Sequence, residues 1–540
     1  MATVPARGPP TSNVAQTEYP IHAQYDIVVI GGGAAGLAAS TTAVRWGAKV
    51  LLVEQSSNLG GDCTWTGCVP SKALLKCAHV AHSIKHAKQY GVVVDPAAVS
   101  VDFATVRSHW ESSQRTIYDQ DDSPDVIRNK GVEVCMSTRA TFASRHELRL
   151  TPVVDADMNG NDVDRASRVV FASRIILAVG AHPRIPGSIA GIGDMDPATS
   201  DTIWARMTQL PRGLLILGAG PIGCELAQAF TRLGTDVTLV GTVLPRERAA
   251  AREAVSTALM ADGVRLEQGR ATSIARSAAS AADGASPLAV LEMDGPAGHR
   301  SLTVPADVVL CAMGRSAEPA LRALSVDKAG CKVDPQGRLS LDAFLRCAGA
   351  PHVFATGDCA GGEQFTHLAG YQGSVAGWNA SMPRVAYLKA PGVERVPRCT
   401  FTDPEVASVG VTLREAQSRY ADARETIVEL SHFDRAVCDG TTVGAVSIVH
   451  RGVAGTILGA SAFGKGAGEM VSELAVFSTN QLNLKALAKT LHPYPAMAQG
   501  LQMTASAAVA NALQQLVDGC FFGMLRTCCC GPSLHGSKGR

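Results

Sequence analysis

Two stretches of the chain repeat one pattern: a short β-branched strand, a glycine-rich loop, a helix and a second strand. In the first, Tyr25-Asp-Ile-Val-Val-Ile30 runs into Gly31-Gly-Gly-Ala-Ala-Gly36, an Ala-rich stretch continues to Trp46, and Lys49-Val-Leu-Leu-Val-Glu54 closes the unit. In the second, Leu214-Leu-Ile-Leu217 leads into Gly218-Ala-Gly220-Pro-Ile-Gly223, a helix follows through Ala229, and Val237-Thr-Leu-Val240 completes it. A strand before and a helix after turn each glycine loop into a phosphate cradle. The backbone must come close to a pyrophosphate, and the helix start offers free N–H groups and a positive dipole end. The chain is therefore expected to be α/β, with two Rossmann-like dinucleotide-binding domains.

The two units differ in what could read the ribose. Gly31, Gly33 and Gly36 are followed by Glu54, a carboxylate able to accept from a 2′-OH. Gly218, Gly220 and Gly223 are followed by Gly241 and Thr242, with no acid, and then by Arg246 and Arg248. That second pattern favours a 2′-phosphate, hence NADPH over NADH.

Length and composition bound the rest. At about 150 residues per domain, 540 residues make three or four domains. Lys and Arg number 49 against 48 Asp and Glu, so nothing attracts nucleic acid or an anionic membrane. The odd total of 15 cysteines reads as reduced thiols in a cytoplasmic or organelle-matrix setting, not as a secreted disulfide scaffold. Residues 1–24 have no apolar run and read as a disordered tail, not a signal peptide. Residues 490–517 carry no formal charge, but Pro493 and Pro495 argue against a membrane span. The stretch from Ser273 to His299, rich in Ala, Ser and Gly, reads as surface hairpin and loop. From Arg398 the pattern changes to strands and then helices, a C-terminal α+β domain.

The segment Gly60-Gly-Asp-Cys63-Thr-Trp-Thr-Gly-Cys68-Val-Pro-Ser-Lys72 starts shortly after Glu54. In a regular helix, residues i and i+5 are offset about 7.5 Å and point apart, whereas a disulfide needs Cα atoms within about 7 Å. A bond between Cys63 and Cys68 requires a distorted first turn, which Gly67 allows. Pro70 suits the opening of the helix that follows. A thiol at a helix N-terminus is biased towards thiolate.

Together these features resemble the class I flavoprotein disulfide reductases, which include dihydrolipoamide dehydrogenase, glutathione reductase and mercuric reductase. The resemblance extends over residues 25–517. It also rests on Ile176-Leu-Ala-Val-Gly180, Gly314-Arg315, Ala355-Thr-Gly-Asp358, Phe401-Thr-Asp-Pro-Glu-Val-Ala-Ser-Val-Gly410 and Ala467-Gly-Glu-Met470, in family order. It implies FAD on the first unit, with Asp358 at its ribityl–pyrophosphate region, and NAD(P)H on the second. Cys63 would be the interchange thiol of a redox disulfide and Cys68 the charge-transfer thiolate. Lys72 would lie near flavin N5 with Glu225 as its ion-pair partner. The implied order is an FAD-binding domain over 25–187, an NAD(P)-binding domain over 188–315, a central FAD region over 316–390, a dimerisation domain over 391–517 and a Cys-rich tail over 518–540. A homodimer is expected, its active site completed across the interface.

Relatives that reduce disulfides carry a His and, five residues on, a Glu in the C-terminal domain. Here Leu491-His-Pro-Tyr-Pro-Ala-Met-Ala-Gln-Gly-Leu501 allows two registers. His492 would be followed by Met497, which cannot orient an imidazole. Tyr494 would be followed by Gln499, and this register is preferred. A Tyr here resembles mercuric reductase, and a phenol is a poor base at neutral pH. The electron acceptor is then a soft metal ion, with a low-molecular-weight dithiol or disulfide as the alternative. A third reading is a membrane-associated redox sensor of low turnover.

Cys528 and Cys529, in the run Cys528-Cys529-Cys530, resemble the vicinal pair that ends mercuric reductases and suit soft-metal handling. The neighbouring Phe521, Phe522 and Leu525 leave a membrane-touching tail open. The remaining cysteines read as structural, and His367 as packing near the cofactor. Trp65 and Thr66 receive no role.

Overall fold

The computed structural model describes residues 23–153, 167–277, 287–296, 298–392, 394, 396–452 and 455–517. The first glycine unit sits in a mixed sheet. Its parallel core aligns Ala350–Ala355, Arg168–Leu177, Gln24–Ile30, Val50–Val53 and Glu133–Cys135. The first strand begins at Gln24 and Ala23 is buried, so ordered structure starts slightly earlier than the composition of the tail implied. Val28, Ile30, Leu51 and Val53 enter one core, while Ile27, Val29, Val50 and Leu52 enter another. Both faces are covered, which is why these strands read as unbroken apolar runs.

One of those faces is covered by helices Ala34–Arg45 and Thr366–Ser381. They approach closely because a Cβ on Gly373 would collide with the Ala35 carbonyl oxygen, and one on Gly377 with that of Ala39. The sheet is thus completed by chain from both sides of the second glycine unit.

The second unit forms a five-stranded parallel sheet in the order Arg265–Glu267, Asp236–Val240, Gly213–Leu217, Val308–Cys311, Ala198–Thr199. The stretch read as surface hairpin and loop is more regular than that. Arg270–Arg276, Leu288–Gly295 and Gly298–Pro305 form a three-stranded antiparallel sheet. Its Ala289, Leu291 and Met293 alternate into a core, a period-two pattern.

From Arg398 a five-stranded antiparallel sheet takes the order Arg398–Thr400, Glu405–Gly410, Thr456–Gly464, Ala445–Arg451, Arg424–Glu429. Helix Ala467–Thr479 and the start of helix Gln499–Val517 pack on it through Met470, Leu474, Leu501 and Ala505. Among the described residues, no helix is long and apolar enough to cross a membrane.

Candidate active site

The glycine loops have the geometry that phosphate binding requires. Gly33 and Gly220 are the N-caps of helices Ala34–Arg45 and Pro221–Leu233, and neither helix start has a side-chain cap. The first N–H groups of each helix are left for a ligand. A Cβ on Gly36 would strike the Gly31 carbonyl oxygen, and one on Gly223 that of Gly218. A Cβ on Gly220 would meet nothing, so that side of the loop is open. Gly31 and Gly218 both adopt positive φ, +103° and +109°.

A cavity of about 590 Å³ runs from Gly31–Gly33 past Glu54, Gly180 and Asp358 to Cys63 and Cys68. Buried Thr356 lines it with an Oγ1 that has no protein partner. A cradle with open loop N–H groups, the two acids Glu54 and Asp358 and an unpaired hydroxyl fits FAD. The Glu54 carboxylate is already ordered, accepting from Gly32 N at 2.6 Å and Ser56 N at 2.7 Å. Burial pushes the Asp358 carboxyl up to about 6, against the opposing pull of the Arg315 guanidinium. Gly314 lies in a left-handed turn at φ +92°, beside the Arg315 that reaches the cavity.

The cysteine segment solves its spacing problem by breaking the helix. Gly61–Trp65 is a short helix closed by Thr66 N donating to Asp62 O at 2.9 Å, and a new helix, Cys68–His86, starts after Gly67. A Cβ on Gly67 would sit 2.8 Å from Asp62 O, so the tight junction needs glycine. The break lets both Cys63 and Cys68 line the same cavity, where each thiol shifts the other's acidity. Cys68 stands at a helix start, and Thr366 Oγ1 lies 3.3 Å from its Sγ. The hydrogen bond from Cys63, then Thr366 and the Lys72 charge, outweigh burial and lower the Cys68 thiol to about 6. The same contact, with burial, raises Cys63. The pair is polarised: Cys68 is the thiolate and Cys63 holds the proton.

Lys72, one turn into this helix, pairs with Glu225 on the second unit's helix at 2.9 Å. Glu225 Oε1 also accepts from Phe401 N at 2.9 Å, and the Lys72 ammonium lies 4.5 Å from the Phe401 ring centroid. Three residues from different parts of the chain meet at this point.

Several site residues carry no motif of their own. Trp65 Nε1 donates to Leu59 O at 2.6 Å. Gln114 Nε2 donates to Trp65 O at 2.7 Å, and Trp204 Nε1 to Thr66 O at 2.7 Å. These bonds pin the loop between the cysteines and give Trp65 and Thr66 the positioning role their sequence did not reveal. Arg315 bridges Asp62 and Asp201. Asp62 adjoins Cys63 and Arg315 follows Gly314, but only folding shows that they pair.

Three expectations change. Arg246 pairs with Glu363, and Arg248 with Glu425 and Ser447 Oγ, so both guanidiniums tie the second unit to neighbouring elements instead of standing free for a 2′-phosphate. His492 does have an orienting carboxylate: its Nε2 is 2.9 Å from Glu473 Oε1, on helix Ala467–Thr479, and Nδ1 is 3.0 Å from Thr490 O. His367 is exposed, with its Nε2 2.9 Å from Pro397 O. Cys438 is likewise exposed, whereas Cys224, Cys311, Cys331, Cys347 and Cys359 are buried. Cys528 and Cys529 lie outside the described residues.

The model of the pyridine nucleotide-disulphide oxidoreductase family matches residues 25–373, and that of its dimerisation domain matches residues 396–505. The chain belongs to this family. It is an FAD- and NAD(P)H-dependent oxidoreductase with a homodimerisation domain. Among relatives, the mercuric reductase of Acidithiobacillus ferrooxidans is 31% identical over 89% of this chain and 82% of its own length. The dihydrolipoyl dehydrogenase of Bacillus subtilis (strain 168) is 29% identical over 88% of this chain and 96% of its own. Among solved structures of this oxidoreductase fold, LpdA from Mycobacterium tuberculosis superposes with a TM-score of 0.76 at 24% identity, covering 90% of this chain and 99% of that one.

Proposed function

We propose that this oxidoreductase passes electrons from NADPH through Cys63 and Cys68 to a soft metal ion, as its mercuric reductase relatives are named for doing. The observation that carries the reading is the state of the two candidate interface residues. Tyr494, in the dimerisation domain, is 69% exposed, its hydroxyl donating to Asp434 Oδ2 at 2.9 Å. The His492 side chain is only 5% exposed and held by Glu473 within its own chain. The Asp434 carboxylate pushes the Tyr494 phenol further up, so it is no base at neutral pH.

Bound FAD supplies the two-electron relay between nicotinamide and the thiols. Gly31, Gly33, Glu54, Thr356 and Asp358 would hold it, and Lys72, one turn beyond Cys68, would supply a cation near its ring. Cys68 and Cys63 ligate the ion as thiolates, a set suited to soft metals. The Cys63 proton leaves on ligation. For a divalent mercury ion the balance is NADPH + Hg²⁺ → NADP⁺ + H⁺ + Hg⁰. NADPH is proposed because Gly241 and Thr242 offer no carboxylate to a free 2′-OH; Arg246 or Arg248 would have to exchange partners to reach a 2′-phosphate.

A dithiol substrate is the second reading, favoured by the His492–Glu473 pair, which has the form of an oriented base. Anaerobic NADPH oxidation with a mercuric–thiol complex, against lipoamide, separates the two. Metal-dependent turnover weakened about tenfold by Tyr494→Phe and untouched by His492→Ala supports the first. Lipoamide turnover abolished by His492→Ala, without metal-dependent turnover, overturns it.

A further inference from the structure

A second pair of thiols lies outside the cavity. Cys331 follows the turn 326–330, and Cys347 ends the strand Arg346–Cys347. The two residues are 7% and 2% exposed and pack in one apolar core, and each thiol shifts the other's acidity. Their backbones are locked side by side. Lys332 N donates to Ala348 O at 2.9 Å, Ala348 N to Ser340 O at 2.8 Å and Ser340 N to Lys332 O at 3.0 Å. Glycine permits the approach: a Cβ on Gly349 would collide with the Gly330 carbonyl oxygen, and one on Gly330 would lie 3.3 Å from Gly349 O.

We propose that Cys331 and Cys347 are a second oxidation site, forming a structural disulfide when the protein meets a peroxide. A disulfide needs two cysteines held close on a backbone that does not have to move, and the hydrogen-bonded segments around Lys332 and Ala348, with the close approach of Gly330 and Gly349, provide this. The more acidic thiol is Cys331, lowered first by the hydrogen bond from Cys347 and then by the Arg145 charge. Its thiolate attacks one peroxide oxygen; the O–O bond breaks, a sulfenic acid forms and hydroxide leaves, taking up the thiol's proton as water. Cys347 sulfur then attacks the Cys331 sulfur, the S–O bond breaks and a second water leaves. Two thiols lose two electrons and the peroxide gains them. Cys359, the third thiol of this core, is engaged with Leu177 O at 3.3 Å and Thr356 O at 3.2 Å. The new bond ties the turn to the hairpin that feeds strand Ala350–Ala355, beyond which Asp358 enters the FAD cradle.

The test uses the full FAD-loaded protein, reduced with a dithiol, desalted, treated with hydrogen peroxide, blocked with N-ethylmaleimide and digested without reductant. The expected product joins the peptide carrying Cys331 to the one carrying Cys347, two hydrogens lighter than their sum. The oxidised protein then melts a few degrees above Cys331→Ser treated identically. The reduced Cys331→Ser protein retains wild-type NADPH turnover. Both thiols still labelled, Cys331 carried on to the sulfinic acid, or a Cys347–Cys359 link in its place would each overturn the proposal. The Cys63 and Cys68 peptides are read separately in the same digest, so the fate of the redox pair does not bear on the result.

Discussion

Lys72 Nζ stands 2.9 Å from Glu225 Oε2, joining the helix that starts at the redox thiols to the helix that starts at the second glycine loop. Glu225 is 6% exposed and Lys72 38%, so the acid is the desolvated partner. Glu225→Ala removes that partner and the acceptor of Phe401 N together. The expected loss is about 1–3 kcal/mol in denaturant unfolding, with a slower single-turnover reduction by NADPH. Full retention of both would remove the pair from the mechanism.

The polarised thiols set a pH dependence. Cys68 is ionised above about 6, so the long-wavelength charge-transfer absorbance of the reduced, FAD-loaded protein should be present at pH 7 and fade as pH falls through 6. Thr366→Val removes a hydrogen bond to the thiolate. It should move that midpoint upward by roughly half to one pH unit, read by spectrophotometric titration.

Gly36→Ala puts a methyl group into the Gly31 carbonyl oxygen, a backbone atom that cannot move aside as a flexible side chain could. The purified variant should contain little or no FAD by absorbance. Thr356→Val, by contrast, removes only one unpaired hydroxyl and should weaken FAD retention by about tenfold or less, since one hydrogen bond contributes on the order of 1 kcal/mol.

Trp204→Phe deletes one N–H from the Thr66 carbonyl while keeping an aromatic ring against Trp110. A cost of about 1 kcal/mol in stability is expected. The charge-transfer absorbance should weaken as the loop between the cysteines loosens. A change in stability with an unaltered spectrum would limit Trp204 to packing.

Because Arg246 and Arg248 are held by Glu363 and Glu425, replacing either with Ala should change the NADPH-to-NADH ratio of kcat/KM by less than about threefold. A selective loss of more than tenfold for NADPH would show that a guanidinium leaves its carboxylate for the 2′-phosphate.

The parts legible in the chain were those whose chemistry is local. A glycine loop, its flanking strands and helix, and two cysteines with a glycine between them lie within a few dozen residues, and backbone sterics dictate their shape. Lys72 and Glu225 could be paired only through a family resemblance, since nothing local joins them. Trp204, Gln114, Thr366 and Arg315 reach the redox loop from distant parts of the chain, and no periodicity announces a hydrogen bond to a remote carbonyl. The arginines show what sequence proximity leaves open: placed beside a nucleotide loop in sequence, they pair in the fold with Glu363 and Glu425.

By itself, then, the sequence determined two nucleotide cradles, a cysteine pair at a helix start and a separate C-terminal domain, because each follows from short-range geometry. Tertiary structure alone decided which charges and hydrogen bonds polarise the redox thiols, which carboxylate orients His492, and that Cys331 packs beside Cys347. Those outcomes depend on burial and on charges brought together by folding, and electrostatic energies are set by distance in space, not by separation along the chain.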